Sequence, residues 1–431
     1  MQPGLSTKNA PSIWVVAPHF LVGTLIFLIA TTMLAFNQDA LLNYHISGPV
    51  LAIVHLLILG WITTVIFGAL YQLIPVIMEV KLYSERLAYI SLVSLLSGLI
   101  IMVLSFLDFR FQLTLGFEIG GSLVFNAMVL FAVNTLKSAA RAEKKSIHGL
   151  FIQTSVIYLI LTVLMGLFIL FNLSYNVIPI PHTTLLAVHS ALGLVGWFMM
   201  LIIGVASKLM PMFLIVHKTK LAWLKMAFWF LNAGIWMVMI NAFFFSFNFY
   251  LNLISLVTIL TGLLLFLRFN MDVFTRRLRR RLDIGMKLSV VGLSFLTLSI
   301  IAFILLFFNN GAIPLPGGRM EIIFGVLLFY GFFSGLILGQ TYKTLPFIIW
   351  LFHYQSMVGK AKVPMPADLY KHKLAEFHLY TFIASLVSLI TGLAFSIEWL
   401  VMTGILLMVI TATLYSLNTI GMIFHNKKQL T

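Results

Sequence analysis

The sequence predicts an all-α polytopic membrane protein of about twelve transmembrane helices, arranged as three parallel four-helix repeats. Three observations predict it. The 431 residues are 61% hydrophobic and only 9% charged, where a soluble domain carries about 25% charged residues. The apolar residues fall in runs of membrane-crossing length separated by short polar segments. One pattern of Gly, aromatic and Pro then recurs at near-constant spacing along the chain. A soluble domain, a disordered chain and a barrel of alternating strands are excluded on the same grounds.

In order, the apolar runs lie near 14–36, 48–75, 87–106, 114–138, 150–172, 183–213, 221–245, 249–267, 288–308, 319–343, 374–397 and 399–422. At 1.5 Å rise per residue each crosses a ~30 Å hydrocarbon layer, the longer ones by tilting. The first run is too long for the core of a cleavable signal and reads as the first helix. Cys is absent, which leaves no disulfide, thiolate or iron–sulfur chemistry. The chain reads as a single membrane domain over 1–431, with pseudo-repeats near 10–145, 146–280 and 281–425.

Charge sets the orientation. With the N-terminus in the cytoplasm and the spans alternating, all of the 27 Lys and Arg except Arg110 and Arg319 fall on the cytoplasmic side. That is the bias expected of an inner-membrane protein with both termini cytoplasmic. The net charge of +15 therefore needs no nucleic acid. The densest run, Arg276-Arg277-Leu278-Arg279-Arg280-Arg281, reads as a topology anchor, with anionic lipid or a polyanionic partner as the functional alternative.

The repeat is carried by Gly60-Trp61, Gly68 and Pro75, then by Gly196-Trp197, Gly204 and Pro211. The third copy is Gly331-Phe332, Gly339 and Pro346. The offsets are 136 and then 135 residues, which places the copies on spans two, six and ten and makes each unit four helices. Gly allows close backbone approach in lipid. Pro is expected to break or kink the helix near its cytoplasmic end. Gln72, Lys208 and Lys343 precede the Pro by one turn and are expected to reach the interface.

Histidine carries the chemical signal. His55 lies about two turns into span two from the outer side, where an ionisable group is costly and points to a partner or a site. Imidazole ligates haem iron, copper or zinc while its second nitrogen fixes the ring. His182 and His189 share a face of span six but stand ~10.5 Å apart along it, too far for one ion held by both. His189 is the deeper candidate; His182 and His45 lie at the outer mouth. His19 and His378, near the cytoplasmic ends of spans one and eleven, form a possible second site or bond to their helix ends. Arg319 and Glu321 begin span ten on the outer side and are candidates for an acidic group, an ion or a charge pair. Glu118 is a weaker ion or proton candidate, and Asp108 with Arg110 reads as a loop network. His148, His217, His353, His372 and His425 are explained by loop or terminal positions. No Walker loop, HExxH, CxxCH or paired glycosidase carboxylates occur.

The twelve spans, the threefold repeat and the stretch His55-Leu56-Leu57-Ile58-Leu59-Gly60-Trp61 through Gly68-Ala69-Leu70-Tyr71-Gln72-Leu73-Ile74-Pro75 resemble the haem–copper oxidase subunit I-like superfamily, in a short divergent form. They also resemble the NnrS-like haem- and copper-containing membrane proteins. The resemblance implies an oxidase-like fold, a haem axial ligand at His55 and, by a looser match, a copper ligand at His189; Arg319, from its place at the outer start of span ten, is a candidate to neutralise a propionate. It implies quinol, a cytochrome or nitric oxide as partners in electron transfer or nitric-oxide handling. The chain departs from the pattern at Gly193, where the copper ligand's Tyr would stand. It lacks the paired His of span seven and the two His of span ten. A conventional proton-pumping terminal oxidase is not implied.

The expectation is thus a haem- and/or copper-binding membrane protein, with metal candidates His55, His189, His182, His45 and Glu321. Two other classes fit the residues: a transporter or channel using Glu118, Glu321 and the histidines, or an accessory structural subunit of a respiratory complex.

Overall fold

The computed structural model describes residues 9–42, 47–107, 114–309 and 319–426. These residues are all-α and contain no strand. Among the described residues, twelve helices are long and apolar enough to cross a membrane. They are α1 (Ile13–Phe36), α2 (Gly48–Met78), α3 (Glu85–Leu107), α4 (Leu115–Ala139), α5 (Ile147–Tyr175) and α6 (His182–Leu214). The second half comprises α7 (Ala222–Phe244), α8 (Phe249–Thr275), α9 (Ile284–Phe308), α10 (Arg319–Met357), α11 (His372–Phe395) and α12 (Glu398–Ile423). The protein is a polytopic membrane protein.

Side chains placed just ahead of the helices start several of them. Ser146 accepts from Gly149 N at 3.0 Å, Asn248 from Tyr250 N at 3.0 Å, and Asp283 from Met286 N at 3.1 Å. Each satisfies an N–H that the first turn leaves unbonded. Proline does not end the helices that carry it. Helices α2 and α6 run on past Pro75 and Pro211 to Met78 and Leu214, and α10 continues past Pro346 to Met357. One missing N–H and one freed carbonyl are tolerated where the rest of the helix is packed.

Helices α2, α6 and α10 share a feature that hydropathy cannot reveal. Each contains a π-helical stretch: Leu56–Thr63, Leu192–Met199 and Val326–Ser334. An inserted residue rotates the remainder of the helix by about 100° and leaves a carbonyl poorly matched. Hydroxyls occupy two of these gaps, Thr64 Oγ1 bonding Leu59 O at 3.0 Å and Ser334 Oγ bonding Phe329 O at 2.8 Å.

The chain forms two compact units. One holds α1, most of α2, the end of α3 and α9–α12. Its core centres on Trp61, which stacks on Phe27 with centroids 3.6 Å apart, while Tyr415 meets both rings edge-on at 6.1 and 6.2 Å. The other holds the end of α2, most of α3 and α4–α8. There Phe131 lies 5.7 Å from Tyr71 and 6.0 Å from Trp197, and Tyr71 Oη bonds Ser91 Oγ at 3.0 Å. Large aromatic rings thus fill the interior of each unit; Tyr71 finds a hydroxyl partner, whereas the buried Nε1 atoms of Trp61 and Trp197 have no hydrogen-bond partner among the described residues.

The second Gly of each motif faces the helix that precedes its own. A Cβ on Gly68 would lie 2.6 Å from His19 Cβ in α1, and one on Gly204 would lie 2.9 Å from Phe151 Cβ in α5. One on Gly339 would lie 2.5 Å from Gly285 O in α9. Gly196 and Gly331 seat the rings of Tyr158 and Phe295 in the same manner, at 2.7 and 2.8 Å. The residues before the prolines differ among themselves. Gln72 is buried rather than at an interface, Lys208 is exposed, and Lys343 forms an ion pair with Asp283.

Candidate functional site at the buried histidines

His55 ends the α-helical first part of α2, immediately before the π-helical stretch. Its Nδ1 lies 2.7 Å from Leu51 O, one turn back. A carbonyl can only accept, so Nδ1 carries the proton and Nε2 presents a lone pair when the ring is neutral. The ring stacks against Phe106 with centroids 5.1 Å apart. Nε2 makes no hydrogen bond among the described residues. The imidazole is therefore oriented from one side and chemically open on the other.

His189 is built similarly but by a different helix. Its Nδ1 bonds Thr162 O of α5 at 2.9 Å, which again assigns the proton to Nδ1. Gly166 makes room for the ring, since a Cβ there would lie 2.9 Å from His189 Cε1 and 3.3 Å from Nδ1. Gly166→Ala is expected to push the ring aside and cost about 1–3 kcal/mol by overpacking. Thermal unfolding should show it, and His189→Ala in the same chain should cancel most of that cost.

The remaining candidates are dispersed. His182 is exposed at the start of α6, so only His189 of that pair reaches a packed environment. His19 is fully buried, with Nδ1 2.8 Å from Val15 O. His378 is fully buried too, with Nδ1 3.2 Å from Tyr342 Oη and its ring 5.9 Å from that of Tyr415. It makes no hydrogen bond or ring contact with His19 among the described residues. His19 thus bonds a carbonyl near the end of its own helix, while His378 pairs with a side chain of α10; both rings are buried. Arg319 is half-buried, and its Nε and Nη1 have no hydrogen-bond partner among the described residues. Glu321 is exposed. Glu118 accepts from Tyr175 Oη at 2.7 Å. His45, Asp108 and Arg110 lie outside the described residues.

Two groupings went unseen in the sequence. Around His378, Asn418 Nδ2 approaches Tyr342 Oη at 3.4 Å and also bonds Lys371 O at 3.2 Å. Deeper in the same helices, Tyr415 Oη pairs with Thr341 at 3.0 Å, Thr411 with Thr381 at 3.1 Å, and Tyr330 with Ser385 at 2.8 Å. At the far end of α10, His353 and His425 stand 6.0 Å apart, and His425 Nε2 bonds Tyr354 Oη at 2.8 Å. Partial burial holds the His425 imidazole below its usual pKa. Distant parts of the chain meet in each grouping, and no local spacing marks them.

Among the described residues, no group of three or more His, Cys, Asp or Glu could hold a metal ion. No family model matches the chain, and no curated protein matches it.

Proposed function

We propose that this membrane protein carries a haem, with His55 as an axial ligand, on an oxidase-like scaffold of three parallel four-helix repeats. The observation that carries the reading is the state of His55. One nitrogen is held by a backbone carbonyl, the other is open, and a π-helical turn follows directly. Metal-bound imidazoles are oriented in this way by an outer hydrogen bond, and π-helical turns concentrate at functional sites.

The donor set fits haem better than a copper ion. Haem asks the protein for as little as one axial atom, which His55 supplies. An ion held by protein donors alone needs a larger group, and the described residues offer none. Arg319, whose buried Nε and Nη1 have no hydrogen-bond partner among the described residues, suits a propionate. When bound, the haem would supply one-electron exchange and a site for a diatomic ligand such as nitric oxide, with quinol or a cytochrome as electron donor. The chain's own residues orient the imidazole, exclude water and screen the charge.

The repeat is supported by the matching π-helical stretches and by glycines that face the preceding helix at matching positions. The charge bias supports cytoplasmic termini in an inner membrane. Transport is the second reading, favoured by the buried hydrogen-bonded side chains along α10–α12.

The test is an absorption spectrum of the protein purified in mild detergent, air-oxidised and then dithionite-reduced, with metal analysis of the same sample. Near-stoichiometric haem bands that sharpen on reduction are expected. A well-folded preparation from haem-replete cells that holds no haem would overturn the reading and turn attention to transport.

A further inference from the structure

The loop after α6 and the loop after α8 meet. Arg279 N donates to Leu214 O at 3.2 Å, which sets the run 276–281 beside the turn carrying Lys218 and Lys220. A topology anchor needs positive charge on one side of the membrane and does not need two loops joined. Between Met200 and Arg281 the sequence has one acidic residue, Asp272, and Arg276 takes it in an ion pair at 3.0 Å. Arg277 is turned inward, donating to Phe274 O and lying over the Phe274 ring at 5.6 Å. These two arginines hold the loop. Lys218, Lys220, Arg280 and Arg281 are exposed, and their side chains make no ion pair or hydrogen bond among the described residues.

Apolar side chains are interleaved with these four cations. Leu278 is 62% exposed and Met271 61%, with Ile215 and Leu221 also exposed. Beside them Arg268 lies over the Trp223 ring at 6.0 Å, a pairing suited to the headgroup level. The patch continues onto the outward surface of α7 and α8, where Trp229 and Leu264 are exposed. A soluble polyanion would satisfy the cations and leave Leu278 in water.

We propose that this patch is a binding site for an anionic phospholipid. Its phosphate sits among Lys218, Lys220, Arg280 and Arg281, and its acyl chains lie along α7 and α8. The site stands apart from the histidines and does not depend on the haem reading.

The experiment uses the full-length protein in nanodiscs of phosphatidylcholine containing phosphatidylglycerol, with the lipids retained after detergent extraction counted by native mass spectrometry. The wild type is expected to retain phosphatidylglycerol in preference to phosphatidylcholine. The variant Lys218→Gln/Lys220→Gln/Arg280→Gln/Arg281→Gln is expected to lose that preference by about tenfold or more, from the removal of four near-surface charges. Equal retention of the two lipids by the wild type would overturn the proposal, a result that does not require the variant to insert. Unchanged preference in a correctly inserted variant would also overturn it. Displacement of the lipid by millimolar inorganic phosphate alone would do the same, since phosphate chemistry without acyl chains would then suffice.

Discussion

A His55→Gly variant is expected to purify without its haem absorbance, and millimolar imidazole in the buffer is expected to bring the absorbance back. Removing the side chain leaves a space of ring size between Leu51 O and the Phe106 ring. Free imidazole can enter it, donate one N–H to Leu51 O and present its other nitrogen as the protein's own ring does. Glycine within the helix costs about 1 kcal/mol, so the fold should survive the substitution. A purely structural His55 predicts a different pattern, in which imidazole changes thermal stability without producing a haem spectrum. His189→Gly applies the same logic to the other unit. Retention of the full spectrum is expected there, since His189 belongs to the other unit and ligation is assigned to His55. Failure of imidazole to restore any haem to folded His55→Gly would remove the reading that carries the proposed function.

How much of the molecule is legible in the sequence depends on the range of the interaction. The twelve helices follow from apolar runs, which are local, and their ends fall within a few residues of the runs except in α8 and α10. Helix α10 extends to Met357 because Pro346 removes one N–H without removing the packing around it. His55 is legible for the same reason, since its orienting partner is Leu51, one turn away. His189 is only half legible: its depth can be read, but Thr162 O and the space over Gly166 come from α5. Lys343 has the composition of an interfacial side chain and instead pairs with Asp283, 60 residues earlier in the chain. The π-helical stretches leave no trace in hydropathy, because a single inserted residue shifts the apolar stripe without making it less apolar.

Gly339→Val is expected to be strongly destabilising, through the seam between α9 and α10. Gly285 and Gly339 face each other so closely that a Cβ on either meets the other's carbonyl oxygen, at 2.6 and 2.5 Å. A Cβ on Gly335 would lie 3.0 Å from Gly292 Cα, which extends the close approach along the seam. The polar bonds depend on that approach. Gln340 Nε2 donates to Ser289 Oγ at 2.9 Å, and Lys343 reaches Asp283, which also caps α9 through Met286 N. A backbone oxygen cannot rotate away as a flexible side chain can. Valine therefore separates the helices and loosens the Gln340 and Lys343 bonds together. Alanine should cost about 1–3 kcal/mol by overpacking, and valine more, seen as a lower unfolding temperature and a lower folded yield in detergent. Gly421→Ala in α12 is the matched control. Nothing lies within 4 Å of a Cβ there, so it should leave stability unchanged or raise it by up to about 1 kcal/mol through helix propensity. Equal tolerance of Gly339→Val and Gly421→Ala would mean that α9 and α10 are held by something other than close backbone contact. Packing in lipid has no hydrophobic drive between helices to replace such contact, so the difference between the two variants measures the seam itself.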